Sequence, residues 1–221
     1  MSESSLAEPA RDCRLCPRLA GFRDANRLRE PLWHNGPVPS FGDAGARLLV
    51  VGLAPGMQGA NRTGRPFTGD WAGDLLYETM IAFGFARGSY DERADDGLEL
   101  AGARITNALR CVPPQNKPTP LETATCRPFL SATLGEMAGL RCILALGRVA
   151  HESVLRALGV KLSAAPFAHG ARHGLALPGG RPATLHDSYH CSRYNTNTGV
   201  LTAQMFRAVF AGLRAELGAG A

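Results

Sequence analysis

The chain has 221 residues, 45% hydrophobic and 19% charged, which is enough for a real core and unlike a disordered chain. The longest apolar run, LLVVGLA at 48–54, is too short to span a bilayer, and MSESSLAEPARDC carries no signal-peptide core. A cytoplasmic protein of one domain, monomeric and without a membrane partner, is the expectation. The net charge of +5 lies in the C-terminal third, where residues 141–221 hold nine Lys/Arg against three Asp/Glu. Such a surplus suits a polyanion, since each cation set against a phosphate releases a counterion, although an arginine-rich composition would give the same count.

In chain order, Cys13-x2-Cys16 precedes a helical pattern over 17–29. A β-branched apolar strand over 47–53 runs into the loop GLAPGMQGANRTGRPFTGD, 52–70, and then a helix over 71–83. The acidic stretch SYDERADDGLELAG, 89–102, reads as a solvated loop or short helix. A strand over 104–110, a helix over 121–138, a strand over 141–146 and a helix over 148–158 follow, with Gly147 as the tight turn. A strand over 181–189 and a helix over 199–217 complete the pattern, and the terminal GAGA reads as a frayed tail. Strands alternating with helices predict an α/β domain built on a parallel sheet.

Ligands of open parallel sheets bind beyond the carboxyl ends of the strands. Three polar, glycine- or proline-rich segments follow strands here: GLAPGMQGANRTGRPFTGD, TNALRCVPPQNKP and LHDSYHCSRYNTNTG. The first has neither a GK[ST] ending nor GxGxxG spacing, so it is not a nucleotide-phosphate cradle.

The pairs Cys13/Cys16 and Cys111/Cys126 could close a tetrahedral zinc site, hold a [4Fe–4S] cluster, or be unconnected thiols. The wide second spacing departs from a zinc ribbon and favours iron–sulfur. Cys142 reads as core, and Cys191 lies beside the third loop with no assigned role.

GLAPGMQGANRTGRPFTGD, DDGLELAGARITNALRCVPPQNKP and HDSYHCSRYNTNTGVLT resemble, in order and spacing, the family 5 (type b) uracil-DNA glycosylases. The resemblance runs from Cys13 to about Thr202. It implies a three-layer α/β/α fold with a central four-stranded parallel sheet, a [4Fe–4S] cluster on those four cysteines, and monofunctional excision of uracil or other damaged bases from DNA. It implies Asp70 as the water-orienting carboxylate, Phe67 as the stacking face, Asn107 as the reader of the base edge, and His186 with His190 at the leaving base. Gly52 and Ala54 would bring backbone against the base, and Arg62, Arg65, Arg193, Asn195 and Asn197 would contact DNA.

Each assignment has a plainer counterpart: Asp70 as a helix N-cap, Phe67 as core, Asn107 as a loop partner. His34, His151, His169 and His173 read as surface or structural. Trp71, and Asp187 where proline is common, depart from the pattern, the latter adding negative charge near DNA. A damage-binding module and an electron carrier are the competing readings. With only Lys117 and Lys161 as amines, a lyase is disfavoured.

Overall fold

The structure is a computed structural model that describes residues 8–218, so all of the predicted tail except Gly218 lies outside it. In chain order the elements are α1 (Pro17–Arg29), β1 (Phe41–Gly42), β2 (Leu48–Gly52), α2 (Ala60–Thr63), α3 (Trp71–Ala82), β3 (Ala86–Arg87), β4 (Glu99–Leu100) and β5 (Ala103–Asn107). Then follow α4 (Pro120–Glu136), β6 (Cys142–Leu146), α5 (Arg148–Ala157), β7 (Arg172–Ala176), β8 (Pro182–Ser188), α6 (Arg193–Asn197) and α7 (Ala203–Gly218).

Strands β5, β2, β6 and β8 lie side by side and parallel, which is the four-stranded centre the sequence predicts. Two antiparallel edges extend it to six strands, β1 outside β5 and β7 outside β8. The inner strands β2 and β6 are buried at every position, as expected of strands covered on both faces. Alternation sorts their side chains into two cores. Leu48, Val50 and Leu144 face α3 and α7 with Leu76, Met80 and Phe210, while Leu49, Val51 and Ile143 face α4 and α5 with Leu134 and Val154. The result is helix, sheet, helix in three layers.

Helix α1 starts on Pro17, directly after Cys16, where the missing N–H costs nothing. Thr119 and Glu122 form a capping box at the start of α4. Glu122 also takes both nitrogens of the Arg18 fork at 2.7 Å, tying α1 to α4.

Two expectations need correction. The stretch 89–102 is not merely solvated: β3 pairs with β4, Leu98 is core, and the Asp96 side chain is buried in a bidentate pair with Arg65 at 2.7–2.8 Å. The helix predicted over 199–217 starts four residues later, at Ala203, and a separate short helix, α6, precedes it over Arg193–Asn197. Gly199 turns the chain at φ +73°, and α7 begins only after Thr202, whose hydroxyl accepts from the Met205 amide.

Candidate active site

A cavity of about 290 Å³ opens beyond the carboxyl ends of β2 and β5. Leu53 and Ala54 from the β2 loop, Asn107 from the last position of β5, and His190 from just past β8 line it. Phe67 and Asp70 close it from the loop before α3 and Trp71 from the first position of that helix, and Asn116, Ser192 and Arg193 complete the rim.

Asp70 occupies the N-cap position of α3, yet its side chain makes no capping hydrogen bond. Its Oδ2 lies over Gly56 and Gly59, each of which would drive a Cβ into it. Its Oδ1 is buried without a protein partner. Burial raises its pKa above the ordinary carboxylate value, and the amides of Gly73 and Ala72 at the helix start pull the other way.

Asn107 is buried, and its Oδ1 also lacks a protein partner. Buried polar atoms are nearly always hydrogen-bonded, so two orphan oxygens in one cavity mark places for water or ligand. Gly52 lies beneath Asn107 and Phe67; a Cβ there would come within 2.6 Å of the Phe67 ring.

Phe67 holds φ +53°, a conformation that L residues seldom adopt. The neighbouring backbone is fixed around it: Tyr90 Oη donates to the Phe67 carbonyl and accepts from the Gly69 amide, both at 3.3 Å, and Tyr77 donates to Pro66 at 2.5 Å. The Phe67 ring stacks near the His190 ring, 6.0 Å apart and 29° from parallel. Burial lowers the His190 pKa to about 4, so the imidazole is neutral at physiological pH. Asn195 donates to the His190 carbonyl at 2.8 Å and fixes that turn.

The family profile described as Uracil DNA glycosylase superfamily matches residues 39–214. The chain belongs to this superfamily. It is 46% identical to the Type-5 uracil-DNA glycosylase of Thermus thermophilus over 215 residues, 95% of each chain. To the Type-5 uracil-DNA glycosylase of Pyrobaculum aerophilum it is 37% identical, covering 94% of this chain and 90% of the relative. To that of Mycobacterium bovis it is 40% identical, covering 90% and 75%.

Within this superfamily fold, Asp70, Phe67, Asn107, His190 and Ala54 line one cavity with Arg193 at its rim, whereas several other predicted residues go elsewhere. His186 is not at the cavity; it is buried mid-strand in β8 with Nε2 3.0 Å from Glu216 of α7. Arg65 is not on the surface, since its guanidinium is buried against Asp96. Asp187 is fully buried and directed at His151, so it puts no charge on the surface. Arg62 is half-buried and donates to the Gln58 carbonyl at 2.8 Å. Arg193 and Asn197 are exposed on α6 beside the cavity mouth, with Arg193 over the Trp71 ring at 5.3 Å. Trp71 Nε1 also donates to Thr196 at 3.1 Å, so α3 and α6 meet across the rim.

Asn116 escaped the sequence reading; its φ of +55°, next to Gln115 at +56°, turns the PPQN loop over the cavity. Cys191 is buried and its thiol donates to the Ala72 carbonyl at 3.4 Å.

Cys13, Cys16, Cys111 and Cys126 line one small pocket with Leu19, Leu109 and Phe129. Burial raises Cys111 to about 12 and Cys126 to about 11, so bare thiolates are unfavourable there and a bound cation would be needed to hold them ionised. Arg23 is buried nearby, Nη1 donating to the Cys13 carbonyl at 2.9 Å while Nε and Nη2 lack hydrogen-bond partners. Among the described residues no helix is long and apolar enough to cross a membrane.

Proposed function

We propose that this chain is a monofunctional glycosylase that flips uracil out of DNA and hydrolyses its N-glycosidic bond, leaving an abasic site for base excision repair. The observation that carries the reading is the convergence, in a superfamily member, of two orphan oxygens, a held aromatic ring and a neutral imidazole on one cavity. Water attacks C1′, the C1′–N bond breaks, and its electron pair leaves with the base. Asp70 Oδ1 orients that water and takes its proton. The carboxylate also faces positive charge growing on the sugar.

Asn107 pairs with the edge of the extruded base, and Phe67 covers its face. His190 donates to the base oxygen on which negative charge collects. Because an amide offers both a donor and an acceptor, other deaminated bases also fall within reach. Arg193 and Asn197 contact phosphates around the lesion.

The four cysteines hold a [4Fe–4S] cluster, a reading supported by four convergent thiols and by a buried guanidinium beside them with two nitrogens that make no hydrogen bond. When bound, that group supplies a crosslink between α1, the β5 loop and α4 rather than a chemical step. Six free cysteines suit the reducing cytoplasm, where the chain acts as a monomer.

A duplex with a single uracil tests the activity. Strand cleavage only after alkali is expected; no base release, or a covalent adduct without free base, refutes it.

A further inference from the structure

Behind the loop that carries His190, a second constellation lies outside the cavity. His151 of α5, His173 of β7 and Asp187 of β8 bring one ligand atom each to within 4.8 Å of one another. His151 Nε2 lies 2.8 Å from the Ala165 carbonyl oxygen. A carbonyl only accepts, so that nitrogen carries the proton. A neutral ring then presents a lone pair at Nδ1, 2.7 Å from Asp187 Oδ1. Two lone pairs at that separation repel, so the metal-free pair shares a proton, which a metal ion bound by both atoms would displace as they move apart.

Asp187 is completely buried and its Oδ2 has no hydrogen-bond partner. His173 Nε2, 3.4 Å away, has none either. A buried acceptor and a second imidazole nitrogen thus face each other, neither satisfied by the protein. We propose that His151 Nδ1, Asp187 and His173 Nε2 form a binding site for a divalent transition-metal cation, zinc by the chemistry of its donors.

Two imidazoles and a carboxylate are borderline ligands that suit zinc, with the fourth position left to water. The His151–Ala165 bond is the outer contact that metal-bound histidines usually make, and it fixes the tautomer that ligation requires. The Phe167 ring meets His151 edge-on at 5.5 Å and gives the site an apolar wall. His173 remains partly exposed on the edge strand, which offers an entry path. Among the described residues a second cluster of this kind, Cys142, His186 and Glu216, differs because Arg172 already engages its carboxylate. A metal at Asp187 would pin β8 just before the turn to His190.

The site stands independently of the glycosylase reading. Parent protein with its native cofactor content and His173→Gln are each incubated with two equivalents of zinc chloride, desalted, and analysed for zinc and iron by mass spectrometry. The parent is expected to retain one more zinc per chain than the variant at equal iron, and its Tm to rise by about 5 °C with zinc while the variant's does not. Because the readout is a difference, zinc held by the four thiols cancels. Asp187→Asn, which keeps the side-chain shape, is expected to lose the same equivalent. Equal zinc in the parent and both variants, or none retained by the parent, overturns the site.

Discussion

Gly56→Ala is a probe of Asp70 that leaves the carboxylate in the sequence. The new Cβ would meet Asp70 Oδ2 at 2.7 Å, well short of the 3.4 Å of ordinary contact, and nothing else within 4 Å but the Asp70 Cγ. The carboxylate is a movable side-chain end, so the fold yields there at little cost while Asp70 shifts by roughly 0.7 Å. Misplacement of a reacting group by about 1 Å costs on the order of 100-fold in rate. A shift of this size therefore predicts a 10- to 100-fold fall in single-turnover uracil release, or about 1.4–2.7 kcal/mol. Tm should stay within about 3 °C of the parent, since alanine also restricts the unfolded chain. The decisive form is a double-mutant cycle on a labelled single-uracil duplex. In an Asp70→Asn background Gly56→Ala should have almost no further effect. An unchanged rate in folded Gly56→Ala, or full additivity with Asp70→Asn, refutes the reasoning.

Asp70 also sets a pH dependence. Burial raises its folded pKa, so the ionised form that the proposed water-orienting role requires is lost on acidification earlier than for a surface carboxylate, and Asp70→Asn should remove that acid limb. The same shift favours the protonated form in the folded state, a contribution present below the unfolded pKa and lost as pH rises through the folded one. Asp70→Asn should therefore raise Tm at pH 7 while lowering the rate; a lower Tm there contradicts the sign. Trp71→Ala, which removes the bond to Thr196 and the face under Arg193, should shift the hypoxanthine-to-uracil excision ratio by about tenfold towards the purine. An unmoved ratio would show that the indole does not limit the cavity. Asp96→Asn leaves the Arg65 charge buried and should cost about 3 kcal/mol in urea unfolding. Cys126→Ser should lose its iron and visible absorption together; stoichiometric zinc with no iron in anaerobically prepared parent refutes the cluster.

The centre of the fold was legible because LLVV and CILAL are uniformly apolar, and β2 and β6 are in fact covered on both faces. The edge strand β7 was not, since RHGLA alternates weakly and carries a glycine. The fate of Arg65 depends on Asp96, 31 residues away, and no local pattern reports such a pairing. The two histidines of HDSYH sit four apart, so strand parity cannot separate them. What separates them is where β8 ends: Ser188 is its last residue, which keeps His186 inside the sheet and lets His190 turn into the cavity. Motif order located the loops, and the register of the sheet decided which side chains reach the site.

Ala54 lines the base cavity and also packs against the cluster of Leu19, Leu109 and Cys126. One methyl-bearing residue is thus a party wall between two compartments. On the proposed reading of the four thiols as cluster ligands, a chain without its cluster lacks the crosslink behind that wall. Repair capacity would then follow the rate of cofactor delivery rather than the abundance of the polypeptide, and a time course of iron loss should superimpose on the decline in uracil release.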